Sequence, residues 1–287
     1  MTAAAPNPLV LSTGARSDVG LRRAANEDSM LVADPIYAVA DGMGGHAAGD
    51  LASQAAVAQL RSIAGLAVVT VPDLQTALDE AQRSVRVIAD ANDRGAGTTV
   101  TGVVSSVYAG EPHWILFNVG DSRVYRQRDG VLEQLSHDHS FAQQLVDSGS
   151  LAREDVHSYR GRNVITRAVG SDDSPADISL YPVQTGERLL ICSDGLTTEV
   201  VDAEIGALLA ENPQAQAAAD ALVARAIRNG GRDNVTAVVI DVVSGAPADA
   251  PAGPVESVQP AESADPDLDE DTIETAGRVP TDPDQHH

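Results

Sequence analysis

The chain of 287 residues contains no lysine; all 19 of its basic residues are arginine, set against 42 aspartates and glutamates. Beside so much alanine, the missing lysine reads as a GC-rich coding bias and carries little about function. The net charge of −23 argues against nucleic acid or an anionic membrane as the main partner, because either would repel it. A single cysteine excludes an internal disulfide and suits a reducing compartment. No run approaches the ~20 apolar residues of a membrane-crossing helix. The opening "MTAAAPNPLVLSTGARSD" lacks the basic start and apolar core of a signal peptide. No internal repeat is visible. We therefore expect a soluble cytoplasmic protein. What is present is an apolar content of 43%, enough for a sizeable core at this length.

Composition shifts near residue 245. From Gly245 to His287 stand eleven acidic residues and one arginine, among many prolines and alanines. Such a segment cannot bury enough apolar surface to offset its ordering entropy. Three parts are expected: an N-terminal extension over 1–11, a folded body over 12–243, and a disordered acidic tail over 244–287.

Within the body, short apolar or alternating runs at 29–33, 36–40, 99–108, 114–119, 123–127, 188–193 and 235–243 read as strands. "VYRQRDGVLEQL" reads as a hairpin turning at Asp129-Gly130. Helical spacing covers 46–63 and 73–92, the latter started by Pro72-Asp73. A second helical pair covers 202–211 and 213–229, opened by Pro213 and closed by Gly230-Gly231. Strands follow one another in hairpins rather than alternating with helices. That favours antiparallel sheets with helices packed outside them over a doubly wound parallel sheet.

Four apolar runs meet an aspartate at one end. "IYAVADG" ends at Asp41-Gly42, "WILFNVGDSR" carries Gly120-Asp121, "LLICSDG" ends at Asp194-Gly195, and "GRDNVTAVVI" places Asp233-Asn234 before the last strand. For any one of them, ordinary Asp-Gly turn chemistry is the better reading. Four together are less ordinary, because paired sheets gather strand ends in one place. Carboxylates within ~4 Å of each other cost about 4 kcal/mol per pair at an effective dielectric near 20, and hard cations remove that cost. Carboxylate, carbonyl and water oxygens suit Mg²⁺ or Mn²⁺. Two such ions close together can activate a water and clamp a phosphoryl group. Glycine directly after Asp41 and Asp194 would let the backbone approach a ligand.

Six segments occur in order: "RAANED" (23–28), "ADGMGGHAAGD" (40–50), "GTTVT" (97–101), "NVGDSRVY" (118–125), "ICSDGL" (191–196) and "GRDNVT" (231–236). Together they resemble the metal-dependent PPM (PP2C-type) protein serine/threonine phosphatases of bacteria, over about residues 12–243. The resemblance implies an α+β fold, a central β-sandwich of two antiparallel sheets flanked by antiparallel helices. It implies two Mn²⁺ or Mg²⁺ ions bridged by Asp41, with the Gly42 carbonyl on one ion and Asp194 and Asp233 on the other. Glu27 and Asp28 would act mainly through bound water, with Asn234 behind them. Asp121 with Asp194 would hold a third, weaker ion, and Arg23 would bind the substrate phosphate through its planar fork. The implied reaction is direct attack on phosphorus by a metal-bridging hydroxide, without a phosphoenzyme. The implied partners are phosphorylated proteins, a cognate Ser/Thr kinase among them, with no nucleic acid and no membrane.

The remaining candidates have plainer readings. Arg22 beside Arg23 is an exposed ion-pairing group. His46 opens a helix, where capping or support of a ligand weighs as much as proton transfer. Met43 follows Asp41-Gly42 where some relatives carry a histidine, so protonation of the leaving group falls to water. Asp50 stands where the family usually has Glu, a mild departure. Cys192 lacks the Cys-x₅-Arg context of a thiolate phosphatase and reads as an inert core thiol. In "SHDHS" (136–140) metal ligation competes with a polar helix start, and the latter is the better reading. The polar stretch 147–164 corresponds to the family's flap beside the active site. Two other functions compete: a phosphoprotein-binding pseudophosphatase, which would need a lost ligand, and a small-molecule metal phosphohydrolase on the same fold.

Overall fold

The computed structural model describes residues 9–258 apart from 45–47, 173, 250 and 252. His46 and the tail beyond Val258 lie outside the described residues. In chain order the elements are β1 (Val10–Asp18), β2 (Asp28–Ala33), β3 (Ile36–Gly44), α1 (Ala48–Leu60), α2 (Val71–Asp90), β4 (Ala96–Thr98), β5 (Val100–Tyr108) and β6 (Glu111–Val119). There follow β7 (Arg123–Arg128), β8 (Val131–Gln134), α3 (Phe141–Asp147), β9 (Asp177–Pro182), β10 (Arg188–Cys192), α4 (Asp194–Glu199), α5 (Asp202–Glu211), α6 (Ala215–Asn229), β11 (Val235–Ser244) and β12 (Glu256–Val258).

Two antiparallel sheets result. One runs β1-β11-β10-β7-β8; the other runs β12-β9-β6-β5-β3-β2, with β4 attached to β3. The strand runs read as nearly continuous apolar stretches because both faces of each sheet are buried. Alternate side chains go to opposite faces: Tyr37 and Val39 enter the core between the sheets with Leu189, Ile191, Val238 and Ile240. Ile36, Ala38 and Ala40 instead face α1 and α2, against Ala52, Ala56, Leu74 and Ala81. Leu190, Cys192, Val235 and Val239 face α4, α5 and α6. The α+β sandwich flanked by helices is thus the fold.

Local signals explain most boundaries. The β7–β8 hairpin turns at Asp129 and Gly130, both with positive φ (51° and 78°), the left-handed pair a two-residue turn requires. The second helix begins at Val71, one residue before Pro72-Asp73: Thr70 caps it, its hydroxyl accepting from Asp73 N while its own N–H donates to the Asp73 carboxylate at 2.8 Å, a capping box. In "SHDHS", Ser140 is the cap of α3, its Oγ accepting from Gln143 N at 3.2 Å, as the polar-helix-start reading expects.

Three expectations need correction. The first strand begins at Val10, so residues 10 and 11 belong to the sheet rather than to an extension. Strand β3 does not stop at Asp41; it leaves β5 after Val39 and continues to Gly44 by pairing with β4. Finally, the described part of the acidic tail is ordered. Ala246 and Pro247 carbonyls accept from Thr185, and residues 256–258 pair with β9 along the sheet edge. An edge strand recruits backbone N–H and C=O groups, a pairing that needs no apolar side chain. Among the described residues no helix is long and apolar enough to cross a membrane.

Candidate metal centre

One end of the sandwich collects the carboxylates. Asp41 lies within β3 and Asp28 is its cross-strand partner on β2. Asp121 follows β6 in the turn to β7, Asp194 opens α4 directly after β10, and Asp233 precedes β11. Antiparallel order brings these five termini to the same edge. Arg23, Glu27, Asp41, Gly42, Asp121, Asp194 and Asp233 line one cleft of about 240 Å³, with Thr99, Asn163 and Ile165. Arg22 is not among its walls; Arg23 is, and its Nη2 donates to Asp233 Oδ2 at 2.7 Å.

The electrostatics are those of like charges held together. Burial raises the Asp41 carboxyl well above the usual range, and the fields of Asp28, Asp194, Asp121 and Asp233 add to it. Asp28 is pushed up to about 7, first by burial and then by Asp194 and Asp233, although two hydroxyls oppose the shift. Asp121 is raised by burial, Asp194 and Asp138, against Arg123. Asp194 is raised by burial and Asp233, against its hydrogen bond with Asp41. Glu27 is raised by burial, with Asp50 and Asp233 adding and Arg23 opposing. Asp41, Asp121 and Asp194 keep partial contact with the cleft, so cleft water moderates these shifts without reversing them.

The donor set fits hard divalent cations. It consists of carboxylate and carbonyl oxygens. Asp28 Oδ1 is buried without a hydrogen-bond partner, an oxygen that a cation or its bound water would satisfy. Among the described residues, no three His, Cys, Asp or Glu side chains converge closely enough to hold an ion alone. Each ion's shell would therefore combine one or two carboxylates with carbonyls and water, as Mg²⁺ and Mn²⁺ favour.

The glycines after Asp41 and Asp194 also meet a packing requirement. A Cβ on Gly42 would overlap the Gly49 carbonyl and lie 2.6 Å from Glu27 O; one on Gly195 would overlap the Asn234 carbonyl. Both make room for neighbouring main chain, which packs the cleft-bearing segments against each other.

Several supports escaped sequence reasoning. Asp28 Oδ2 accepts from Ser193 Oγ at 2.8 Å and from Thr236 Oγ1 at 2.7 Å. Thr99 Oγ1 accepts from Asp41 N at 3.0 Å, and Thr98 Oγ1 donates to Asp41 O at 3.0 Å. These threonines and the serine stand inside the six segments quoted above, but only Ser193 adjoins an acid in the chain, so spacing carried no signal for the others. Asn234, which was singled out, accepts from Glu27 N at 2.8 Å through Oδ1 and donates to Val19 O and Ala25 O, each at 2.9 Å. It fixes the loop carrying Arg23 and Glu27. Glu199 anchors Arg232 at 2.8 Å, tying α4 to the loop that bears Asp233. Cys192 is fully buried and its thiol is pushed up by burial, consistent with an inert core residue. A larger cavity of about 610 Å³ adjoins Asp121 and Asp194, lined on one side by Arg153, His157 and Arg162 of the segment expected to form a flap.

Known proteins resemble this chain in sequence and fold. The sequence pattern of the family described as Protein phosphatase 2C matches residues 23–234. The serine/threonine protein phosphatase PstP of Mycobacterium tuberculosis is 41% identical over 246 residues; the match covers 82% of this chain but 46% of PstP, so the chain spans about half the length of that relative. The serine/threonine phosphatase Stp of Listeria innocua is 33% identical over 240 residues, covering 79% of this chain and 94% of Stp. A solved PstP catalytic domain in complex with two manganese ions is 38% identical with a TM-score of 0.75, covering 83% of this chain and all of that one. A family pattern across most of the folded body, with relatives matched nearly end to end, places this chain in the protein phosphatase 2C family.

Proposed function

We infer that this chain is a Mn²⁺- or Mg²⁺-dependent protein phosphatase hydrolysing phosphoserine and phosphothreonine. The observation that carries the reading is the convergence of Asp41, Asp121, Asp194 and Asp233 beside Arg23 at one cleft, with buried Asp28 paired to Asp41 across the sheet. Asp41, which feels the other four, would bridge two ions, with the Gly42 carbonyl on one and Asp194 and Asp233 on the other. Glu27 and Asp28 would act through water, and Asp121 with Asp194 would hold a weaker third ion. When bound, the cations supply Lewis acidity that activates water and offsets charge on the phosphoryl oxygens.

The chain's own groups do the rest. A guanidinium carries five donors, so Arg23 can hold Asp233 and still present others to a phosphate. Ser193, Thr236 and Thr99 lock the acids in place before substrate arrives, which avoids reorganisation during the reaction. The described cleft walls contain no histidine, and we assign protonation of the leaving group to water. The adjoining 610 Å³ cavity gives a protein substrate room beyond its phosphate. Substrates are then phosphorylated proteins of the cytoplasm, a cognate Ser/Thr kinase among them. None of the acids is lost, which disfavours a pseudophosphatase.

The test is a substrate panel. With Mn²⁺, a phosphothreonine peptide should be hydrolysed and a phosphosugar should not, and chelator should stop turnover. Preference for the sugar would replace this reading with a small-molecule phosphohydrolase; turnover of neither would favour a binding module.

A further inference from the structure

The two histidines of "SHDHS" have different surroundings. His137 is exposed against Asp147 at 3.0 Å. His139 is 5% exposed, and both its ring nitrogens are engaged. Gly120 N–H donates to Nδ1 at 3.1 Å. Because Nδ1 accepts, the ring proton sits on Nε2 and points to Asp177 Oδ2 at 3.0 Å. Arg167 Nη1 donates to the other oxygen of Asp177 at 2.9 Å and lies 3.1 Å from Nε2.

The backbone of His139 is engaged as well. Its N–H donates to Gly120 O at 2.8 Å, and its carbonyl accepts from Thr166 N at 2.8 Å. Phe141 N donates to Val164 O at 2.8 Å, and Ser140 bridges Ile165. Residue 139 thus grips both polar groups of Gly120, the residue before Asp121. It also grips the strap 163–167, whose Asn163 and Ile165 form another wall of the same cleft.

We propose that His139 is a positioning residue that fixes Asp121 in the cleft and joins it to the strap 163–167. The proposal deepens the phosphatase reading and rests on it. Gly120 is buried, so losing the ring acceptor would leave its N–H unpaired in the interior. The turn would rotate to relieve that, carrying the Asp121 carboxylate with it. A displacement of about 1 Å at a reacting centre can cost roughly 100-fold in rate.

Two substitutions separate the ring's functions. In His139→Asn, the amide oxygen stands near the Nδ1 position and can accept from Gly120 while losing Asp177. In His139→Gln, the amide reaches toward Asp177 but offers Gly120 no acceptor. His139→Gln should lose about 10- to 100-fold in kcat on a phosphothreonine peptide with KM nearly unchanged. The Mn²⁺ concentration giving half-maximal thermal stabilisation should rise about tenfold, the loss expected when one ligand is misplaced. His139→Asn should recover both to within about threefold. If Asn and Gln behave alike, or if only melting temperature falls while kcat and the Mn²⁺ midpoint hold, His139 is a structural core residue and the proposal fails. If the native protein does not hydrolyse the peptide, the phosphatase reading fails separately. The Mn²⁺ midpoints of the two variants then decide the proposal, an unshifted midpoint in His139→Gln overturning it. Should His139→Gln not fold, Asp177→Ala replaces it: releasing the ring anchor should raise the Mn²⁺ midpoint by about threefold, and no change would overturn the proposal.

Discussion

Asp41→Asn should change the sign of its stability effect with the metal content of the buffer. In the metal-free protein, Asp41 feels Asp28, Asp194, Asp121 and Asp233 and is hydrogen-bonded to Asp194. Two full charges at about 4 Å would repel by about 4 kcal/mol at an effective dielectric of 20. A proton shared between Asp41 and Asp194, together with cleft water, removes part of that, leaving roughly 1–3 kcal/mol. An asparagine keeps a hydrogen bond to Asp194 and carries no charge, so that repulsion disappears. At about 2–4 °C per kcal/mol for a domain of this size, Asp41→Asn should melt roughly 2–12 °C above native protein in chelator. With Mn²⁺ the order reverses: a ligand at 100 times its Kd stabilises native protein by about 2.7 kcal/mol, and a neutral amide cannot bridge two dications. Scanning calorimetry of both proteins in chelator and in Mn²⁺ reads the crossing. If Asp41→Asn is destabilised in chelator, Asp41 is a structural hydrogen-bonding residue rather than a repelled charge, and the cluster reasoning is refuted.

Other outcomes follow from the same geometry. Arg23→Ala should lose about 10- to 100-fold in kcat/KM and weaken inhibition by inorganic phosphate, since a charge-assisted bond contributes about 1.5–3 kcal/mol; steady-state kinetics should show Arg22→Ala near native, and the opposite pattern would shift the phosphate contact by one residue. The pH dependence has a definite sign. The folded Asp28 carboxyl sits at about 7, above its ordinary 3.8, so the folded state holds the proton more tightly and that contribution is full below about 4 and lost as pH rises through 7. Metal-free protein should accordingly melt lower at pH 8 than at pH 5, with Mn²⁺ flattening the difference; a metal-free profile that rises over this range would contradict the shift. Truncation after Gly245 removes the Thr185 contacts to Ala246 and Pro247 and the edge strand at 256–258, and should lower the melting temperature by a few degrees, about 1 kcal/mol; an unchanged melting temperature would show that these contacts carry no stability.

What could be read from the sequence was whatever is encoded locally. Asp41, Asp121, Asp194 and Asp233 stood out because each interrupts or borders an apolar run, and the hairpin at Asp129-Gly130 carried its own turn chemistry. The clamp on Asp28 was not visible by spacing, because Ser193 and Thr236 lie 165 and 208 residues away from it. The continuation of β3 past Asp41 depends on a change of partner from β5 to β4, which is a tertiary event. Composition argued against order after residue 244 because it weighs side chains only, while the pairing at 256–258 is made by backbone. For Gly42 and Gly195 the sequence did not show the packing requirement: the main chain of Gly49, Glu27 and Asn234 lies against them.

The central claim is that the carboxylate cluster around Asp41 is a cation-dependent phosphatase centre. Its most direct test is the rate of phosphate release from a phosphothreonine peptide by native and Asp41→Asn protein across a Mn²⁺ series, with circular dichroism confirming that both are folded. Native turnover should be absent in chelator and saturate with Mn²⁺, while the folded variant should stay at background at every Mn²⁺ concentration. Near-native turnover by Asp41→Asn with added Mn²⁺, or native turnover that persists in chelator, would contradict the account.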